Sequence, residues 1–530
     1  MNGVDVALLV LALTLGSALI ARCLPVPAPV TLAIIGAFAG GIWHFIPALP
    51  PVRVPPDRVL FAFLPPLITS AAYALPLQAF RRNLRPIASL AIGLVLATMA
   101  VVACIAHAVG GLPWAWALVL GAIVSPPDPI AATAVASKTG LPHRLVVILE
   151  GEGLVNDALA IVAYGLAVEA ASTSTFSVGA AGLALLREVP TGILVGLVIG
   201  WLVAKLRSRV DHVPLEVGIS LFVPYATYEI ADRAGASGVL ALVTLGFMLR
   251  HYATVISKPV ARLAERTVWG ALRFASGALV FLLLGLLVGE IAVADFTREL
   301  LWPCIAVSVV VILVRFAWMA IVPRLWRFIG ASNRSPRTTG RQAIVLGWAG
   351  MRGVVSLALA LAVPGVLSEN TLRATGPRQV IIVLTFAVIV ATLIVQGLTL
   401  LPVVQWLGAG DPGREERDEK RVRARARRAG LAALERLAAS DERYASACDV
   451  LSGLLRQGGI GIAVEGVMGG HPERAEPLVQ ALTAQRRVVE TMGGAGRIGG
   501  ALAERLVTEI DVDEMSAQGQ ASRLTGLDVG

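Results

Sequence analysis

Three acidic residues stand where the surrounding chain is apolar: Asp128, Glu152 and Asp157, all within the stretch 121–163. A charge near the middle of a bilayer costs at least about 2.5–3.5 kcal/mol, so acids in such segments are candidates for function. The chemistry open to them is reversible binding. A carboxylate stripped of water is costly to keep charged, so it takes up a proton or, deprotonated, an alkali cation that has shed its own water. The chain around Asp128 offers further oxygens. Pro126, Pro127 and Pro129 lack amide donors and interrupt a helix, leaving carbonyls free to face a cation.

Spacing sorts these acids. On a helix, residues four apart share a face and residues five apart diverge by roughly 140°. Glu152 and Asn156 therefore point one way, while Gly153 and Asp157 share a neighbouring face. This directs Asp157 to a cavity beside Asp128 and leaves Glu152 in need of a buried cation. Arg315, inside the run IAVSVVVILVRFAWMAIVP, is the candidate, and a Glu152–Asn156–Arg315 cluster would satisfy it. The alternative is that Arg315 snorkels to the membrane surface, since Pro323 and Arg324 follow about two turns later. A second interruption surrounds Arg352, with Gly347, Gly350 and Gly353 beside it. Arg352 either offsets the C-terminal ends of half-helices or anchors its helix at the interface. Pro-broken and Gly-broken helices in the two halves of a chain point to inverted repeats with the site between them.

The elements that must position these residues are membrane helices. Of 530 residues, 56% are hydrophobic and only 15% charged, where a soluble protein would carry about 25%. With about 20 apolar residues per span, the hydropathy predicts an all-α polytopic protein of about thirteen helices. Their extents are 5–22, 27–47, 58–79, 86–109, 114–137, 145–170, 188–206, 214–232, 236–250, 268–290, 299–322, 342–364 and 379–406. The start of the chain has no basic residue before its apolar run and no convincing cleavage site, so it is expected to be a retained first helix. One set of alternate connections holds roughly 18 Lys and Arg against roughly 7 on the other, which places the N-terminus outside and the C-terminus inside. The richer set includes Arg81, Arg82, Arg85, Lys205, Arg207, Arg209, Arg324, Arg327, Arg334, Arg337 and Arg341, and a short basic connection through Lys138, His143 and Arg144 joins the two acidic segments. The net charge of +9 is spread through these loops instead of forming one patch, which argues against nucleic acid as a partner. Cys23, Cys104, Cys304 and Cys448 are too far apart to form a metal or redox motif.

Composition changes after Trp406. The run DPGREERDEKRVRARARR over 411–428 reads as a solvated cytoplasmic helix, with attraction to anionic lipid as the sharper alternative. Residues 430–512 alternate Ala/Leu-rich helical patterns with glycine pairs at 458–459, 469–470 and 493–494. The expected division is a membrane domain over 1–407 and a helical cytoplasmic region over 408–530.

The motifs SPPDPIA, LEGEGLVNDALAIV, SGVLAL, ALVFLLLGL and GMRGVVSLALAL together resemble the sodium/proton exchangers of the first monovalent cation:proton antiporter family, over roughly residues 5–407. The resemblance implies that Asp157 binds cation and proton in turn and that Asp128 lies beside it in an unwound crossing helix. Glu152, Asn156 and Arg315 would hold the site together, with Arg352 in the other crossing helix. It also implies a homodimer, a thirteen-helix fold with core and dimerisation domains, and residence in the bacterial inner membrane. Asn156, in place of a second Asp, resembles the electroneutral branch. Gly153 stands where many members have Ser, and Pro127 where many have Thr or Ser. Both changes remove side-chain oxygens from the implied cation site, which bears on preference among Na⁺, K⁺ and Li⁺.

No nucleophile constellation or ATP-binding loop is present, so transport would be secondary, with no cofactor. A cation channel would need an acid or carbonyl filter repeated by symmetry. A transport-inactive sensor would not need Asp128 and Asp157.

Overall fold

The computed structural model describes residues 3–525 apart from 25, 27, 47–55, 130–131, 134–139, 174–177, 211, 257–258, 295–297, 329–338, 365–376, 412 and 458–470. Lys138, Arg334, Arg337 and the glycine pairs at 458–459 and 469–470 lie outside the described residues. Among those described there is no β-strand. The first group of helices is α1 (Gly3–Cys23), α2 (Ala28–His44), α3 (Pro56–Ala74) and a short α4 (Leu77–Arg82). Then come α5 (Leu84–Ala108), α6 (Trp114–Val124) and α7 (His143–Thr173). The second half holds α8 (Val178–Arg207), α9 (Val213–Arg233), α10 (Gly238–Ile256), α11 (Pro259–Ala294) and α12 (Arg298–Phe328). It closes with α13 (Gly340–Trp348), α14 (Val354–Leu361) and α15 (Pro377–Trp406).

Among the described helices, α5, α8, α11, α12 and α15 hold stretches long and apolar enough to cross a membrane, and α1, α2, α3, α6 and α10 hold shorter apolar stretches. Large apolar side chains such as Leu15, Leu19, Phe38, Trp201, Phe222 and Leu313 face outward. A soluble protein would not expose so much apolar surface; here lipid covers it, in a multi-pass membrane protein. Among the boundaries that depart from hydropathy are those of α3 and α11. The span expected over 58–79 stops at Ala74, and Pro76 leads into α4. α11 begins at Pro259, ahead of the expected 268, because its charged first turns are neutralised by partners. Arg207 pairs with Glu216 at 3.3 Å and with Glu265.

Small residues set the closest helix contacts. Gly36 and Gly40 on α2 face Gly285 and Gly289 on α11, and a Cβ on any of the four would collide with backbone of the facing helix. Gly192 and Gly196 on α8 meet main chain in the same way, at Ser237 just before α10 and at Ala241 within it. Such small-xxx-small spacing lets membrane helices pack backbone to backbone without a hydrophobic driving force. Helices α5, α6, α7, α12, α14 and α15 form another group, sharing apolar contacts around Ile123, Val307, Leu359 and Leu384.

Beyond Trp406, α16 (Arg414–Ser440), α17 (Ala445–Gln457), α18 (Ala475–Gly494) and α19 (Gly500–Thr525) pack around a core of their own that includes Val422, Leu434, Leu451, Leu482 and Leu506. The basic helix α16 is thus not solvated all round. Val422 and Ala426 are buried, and among its cations Lys420 is matched by Glu416 and Arg423 by Glu419 and Glu509. The tail also docks on the first 407 residues. Asp511 of α19, fully buried, accepts from Arg262 of α11 at 2.7 and 3.3 Å and lies 3.4 Å from Arg266 and 3.2 Å from Arg486. Arg82 donates to Ala495 O at 2.9 Å, and the Asp411 N–H donates to Gly140 O at 3.1 Å.

Candidate functional site

Helix α6 ends at Val124, and 125–128 are not helical; Pro129, Ala132 and Thr133 are helical again. The prolines account for the break, since none can donate to the preceding turn. Helix α13 starts on a capping box in which Thr339 and Gln342 satisfy each other's amides. It stops at Trp348, and 349–353 are irregular before α14.

The two breaks meet. The Asp128 N–H donates to Met351 O at 2.7 Å. The Arg352 guanidinium donates to Val124 O at 2.8 Å, to Ser125 O at 3.3 Å and to Gly350 O, while its own N–H donates to Thr392 Oγ1 at 3.0 Å. Val124 and Ser125 carry the last carbonyls of α6, the negative end of that half-helix. Arg352 therefore sits where it offsets a helix C-terminus, and with 1% of its surface exposed it does not anchor the helix at an interface. Gly353 is required at close quarters, because a Cβ there would land on the Asp128 carboxylate.

Helix α7 lies across this junction. Glu152 accepts two bonds from Arg315, at 2.6 and 2.9 Å, and Arg315 Nε donates to Leu346 O at 2.9 Å. Both side chains are almost fully buried, so Arg315 does not snorkel. The three-residue cluster is corrected at one member. Asn156 Nδ2 donates at 3.2 Å to Pro127 O, tying α7 to the first break, and not to Glu152 or Arg315. Its Oδ1 is buried without a partner among the described residues. The Pro127 carbonyl, expected to be free for a cation, carries this bond. Gly153 has a packing role, since a Cβ there would strike the ring of Pro129. The missing hydroxyl at this position goes with a close approach of α7 to the crossing segment.

Asp157 and Asp128 are both half-buried and close enough to repel one another. Among the described residues no hydrogen bond or ion pair engages the Asp157 carboxylate. Nor do those residues hold a group of three or more His, Cys, Asp and Glu arranged for a metal ion. What the junction can do is hold one monovalent charge against two acids and main-chain oxygens. Thr392 and the Leu346 carbonyl escape a reading based on charge. The signal for Thr392 was its polarity within the apolar run of α15, immediately before a π-helical turn at Leu393–Gly397, a feature frequent at functional sites.

Interrupted membrane helices meeting at their breaks, with ionisable side chains beside them, define a secondary-transporter architecture. A family model described as "Sodium/hydrogen exchanger, transmembrane" matches residues 8–406, and the chain belongs to the sodium/hydrogen exchanger family. The Na(+)/H(+) antiporter ApNhaP of Aphanothece halophytica is 33% identical over 359 residues, 67% of this chain and 66% of that protein. The low-affinity Na(+)/H(+) antiporter NhaS1 of Synechocystis sp. is 30% identical over 441 residues, 81% of this chain and 80% of that one. The structure of the sodium proton antiporter MjNhaP1 from Methanocaldococcus jannaschii, 20% identical, superposes with a TM-score of 0.58 over 77% of this chain and 99% of its own. The two share a fold.

Proposed function

We propose that this chain is a secondary antiporter that exchanges Na⁺ for H⁺, with Asp157 as the group that carries each in turn. The observation behind this assignment is the Asp157 carboxylate itself, placed beside Asp128 and the two helix breaks, while Glu152 and Arg315 are matched to each other and Arg352 to main-chain carbonyls. Asp128 lines the site, and Glu152, Asn156, Arg315 and Arg352 keep the breaks in register. Pro127 and the chain at Gly153 contribute shape and main-chain oxygen, not side-chain ligands. Hard oxygen donors suit Na⁺, Li⁺ or K⁺. The protein performs no covalent chemistry and uses no cofactor.

The architecture that goes with this role has thirteen spans, the N-terminus outside and the C-terminus in the cytoplasm of a bacterial inner membrane. Residues 1–407 form the exchanger and 408–530 a cytoplasmic domain, and the protein works as a homodimer in pH and cation homeostasis. Only one acid cycles. Glu152 is committed to Arg315, and Asp128, whose carboxylate lies against Gly353 at the N-terminal end of α14, has its charge balanced by that helix end and does not cycle. Turnover then moves no net charge. A membrane potential contributes about 2.3 kcal/mol per charge per 100 mV to an electrogenic cycle and nothing to this one.

In proteoliposomes, a Na⁺ gradient should drive proton flux at a rate indifferent to a potassium-diffusion potential imposed with valinomycin. Proton movement without added cation would instead mark a leak. A rate that follows the potential would show that a second carboxylate cycles.

A further inference from the structure

Glu150 is an acid that the site described above does not use. It lies seven residues before Asp157 on α7. Seven residues is close to two full turns, so the two carboxylates share a face of the helix about 10.5 Å apart along its axis. Glu152, two positions on, points to the other side, where Arg315 holds it. The face that Glu150 shares is the one turned toward α3 and α10. Its neighbours one turn away, Val147 and Leu154, pack with Leu75, Val239 and Val243. Glu150 therefore sits at the seam between α7 and the helices of the other group.

It is also on the tail side of Asp157. α7 begins at His143, which neighbours Gly496 of the tail, and the preceding Gly140 accepts from Asp411. Glu150 is half-buried and, unlike Glu152, has no hydrogen bond or ion pair among the described residues. Two guanidinium groups act on it electrostatically from across the seam, Arg273 of α11 and Arg250 of α10. Arg250 is itself held by bonds to Tyr73 O at 2.7 Å and Ala74 O at 3.1 Å. A carboxylate serving the fold would be locked by a partner, as Glu152 is. This one makes no such bond, and the two cations across the seam do not touch it. A transported ion needs such a position, attractive enough to enter and weak enough to leave.

We propose that Glu150 is a second cation-binding carboxylate, which receives Na⁺ from the tail side and passes it two turns along α7 to Asp157. The inference rests on Asp157 being the exchange site. Uptake of radioactive sodium into everted and right-side-out membrane vesicles presents the tail side and the opposite side in turn. For Glu150→Gln, the ratio of half-saturating Na⁺ concentrations, tail side over opposite side, should rise about tenfold, equivalent to about 1.4 kcal/mol. A general structural defect would weaken both sides together, so an unchanged ratio overturns the proposal. Arg273→Gln removes an opposing charge from an exposed position and should lower the same ratio, and no change there also counts against it. Asp157→Asn, assayed alongside, keeps the two ideas apart. Uptake by that variant sinks the exchange-site assignment itself. An inactive Asp157→Asn together with unaltered ratios sinks only the loading position.

Discussion

Asp157→Asn is expected to give a folded protein with no cation/proton exchange at all. The substitution preserves size and hydrogen-bonding capacity and removes the one carboxylate at the junction that no partner engages. It also removes the repulsion between Asp157 and Asp128, so thermal stability in detergent should equal or exceed that of the native chain. Loss of activity with stability retained distinguishes a lost ligand from a damaged fold. Dequenching of a pH-sensitive dye in everted vesicles on adding Na⁺ is the direct readout, and a native-like signal from this variant would end the one-acid mechanism. A variant both inactive and less stable would mean that Asp157 has a structural bond that the assignment omits.

Arg315→Ala carries the largest expected stability loss. Its guanidinium makes both bonds to Glu152 and one to the last turn of α13, all nearly out of reach of solvent. Removing one partner of a buried pair leaves the other charged and alone, which costs about 3–5 kcal/mol. Glu152→Gln placed on top of Arg315→Ala neutralises that orphan, so the double variant should unfold at a higher temperature than Arg315→Ala alone. Additive losses in the pair would show that Arg315 acts through Leu346 O and not through Glu152. Exchange should fall in both variants, because the same guanidinium connects α7 to the second helix break.

The buried charges were legible in the sequence for one reason: water is missing where they stand. Asp128, Glu152, Asp157, Arg315 and Arg352 each interrupt an apolar run, and each has a defined place at or beside the helix breaks. Helical spacing puts Glu152 and Asp157 on different faces, and in the structure Glu152 meets Arg315 while Asp157 lies beside Asp128. It could not assign Asn156, because its bond goes to a main-chain carbonyl at Pro127, and every residue presents such a carbonyl. The Leu346 and Val124 carbonyls stayed hidden for the same reason. Glycine pairs such as Gly36 with Gly40 and Gly285 with Gly289 were visible as spacing, but only the structure pairs α2 with α11. Hydropathy also truncated α11, since it counts Arg262 and Glu265 as charges and has no access to the partners that neutralise them.

Arg262 and Asp511 are 249 residues apart in sequence, and that interval is also a delay. At about 5–20 residues per second of synthesis, the acid leaves the ribosome about 12–50 s after the arginine. During that time Arg82, Arg262 and Arg266 are bare cations at the side proposed to be cytoplasmic, available to retain their helix ends there as the spans insert. Once α19 forms, its buried acid and the Ala495 carbonyl take over the same groups. The arginines would thus serve twice, first as signals of orientation and later as the seat of the tail. A chain cut before Asp511 should therefore still insert in the correct orientation. It should leave those guanidinium groups open to proteases and lipid headgroups, which limited trypsin digestion of everted vesicles would reveal as new cuts after Arg262 and Arg266.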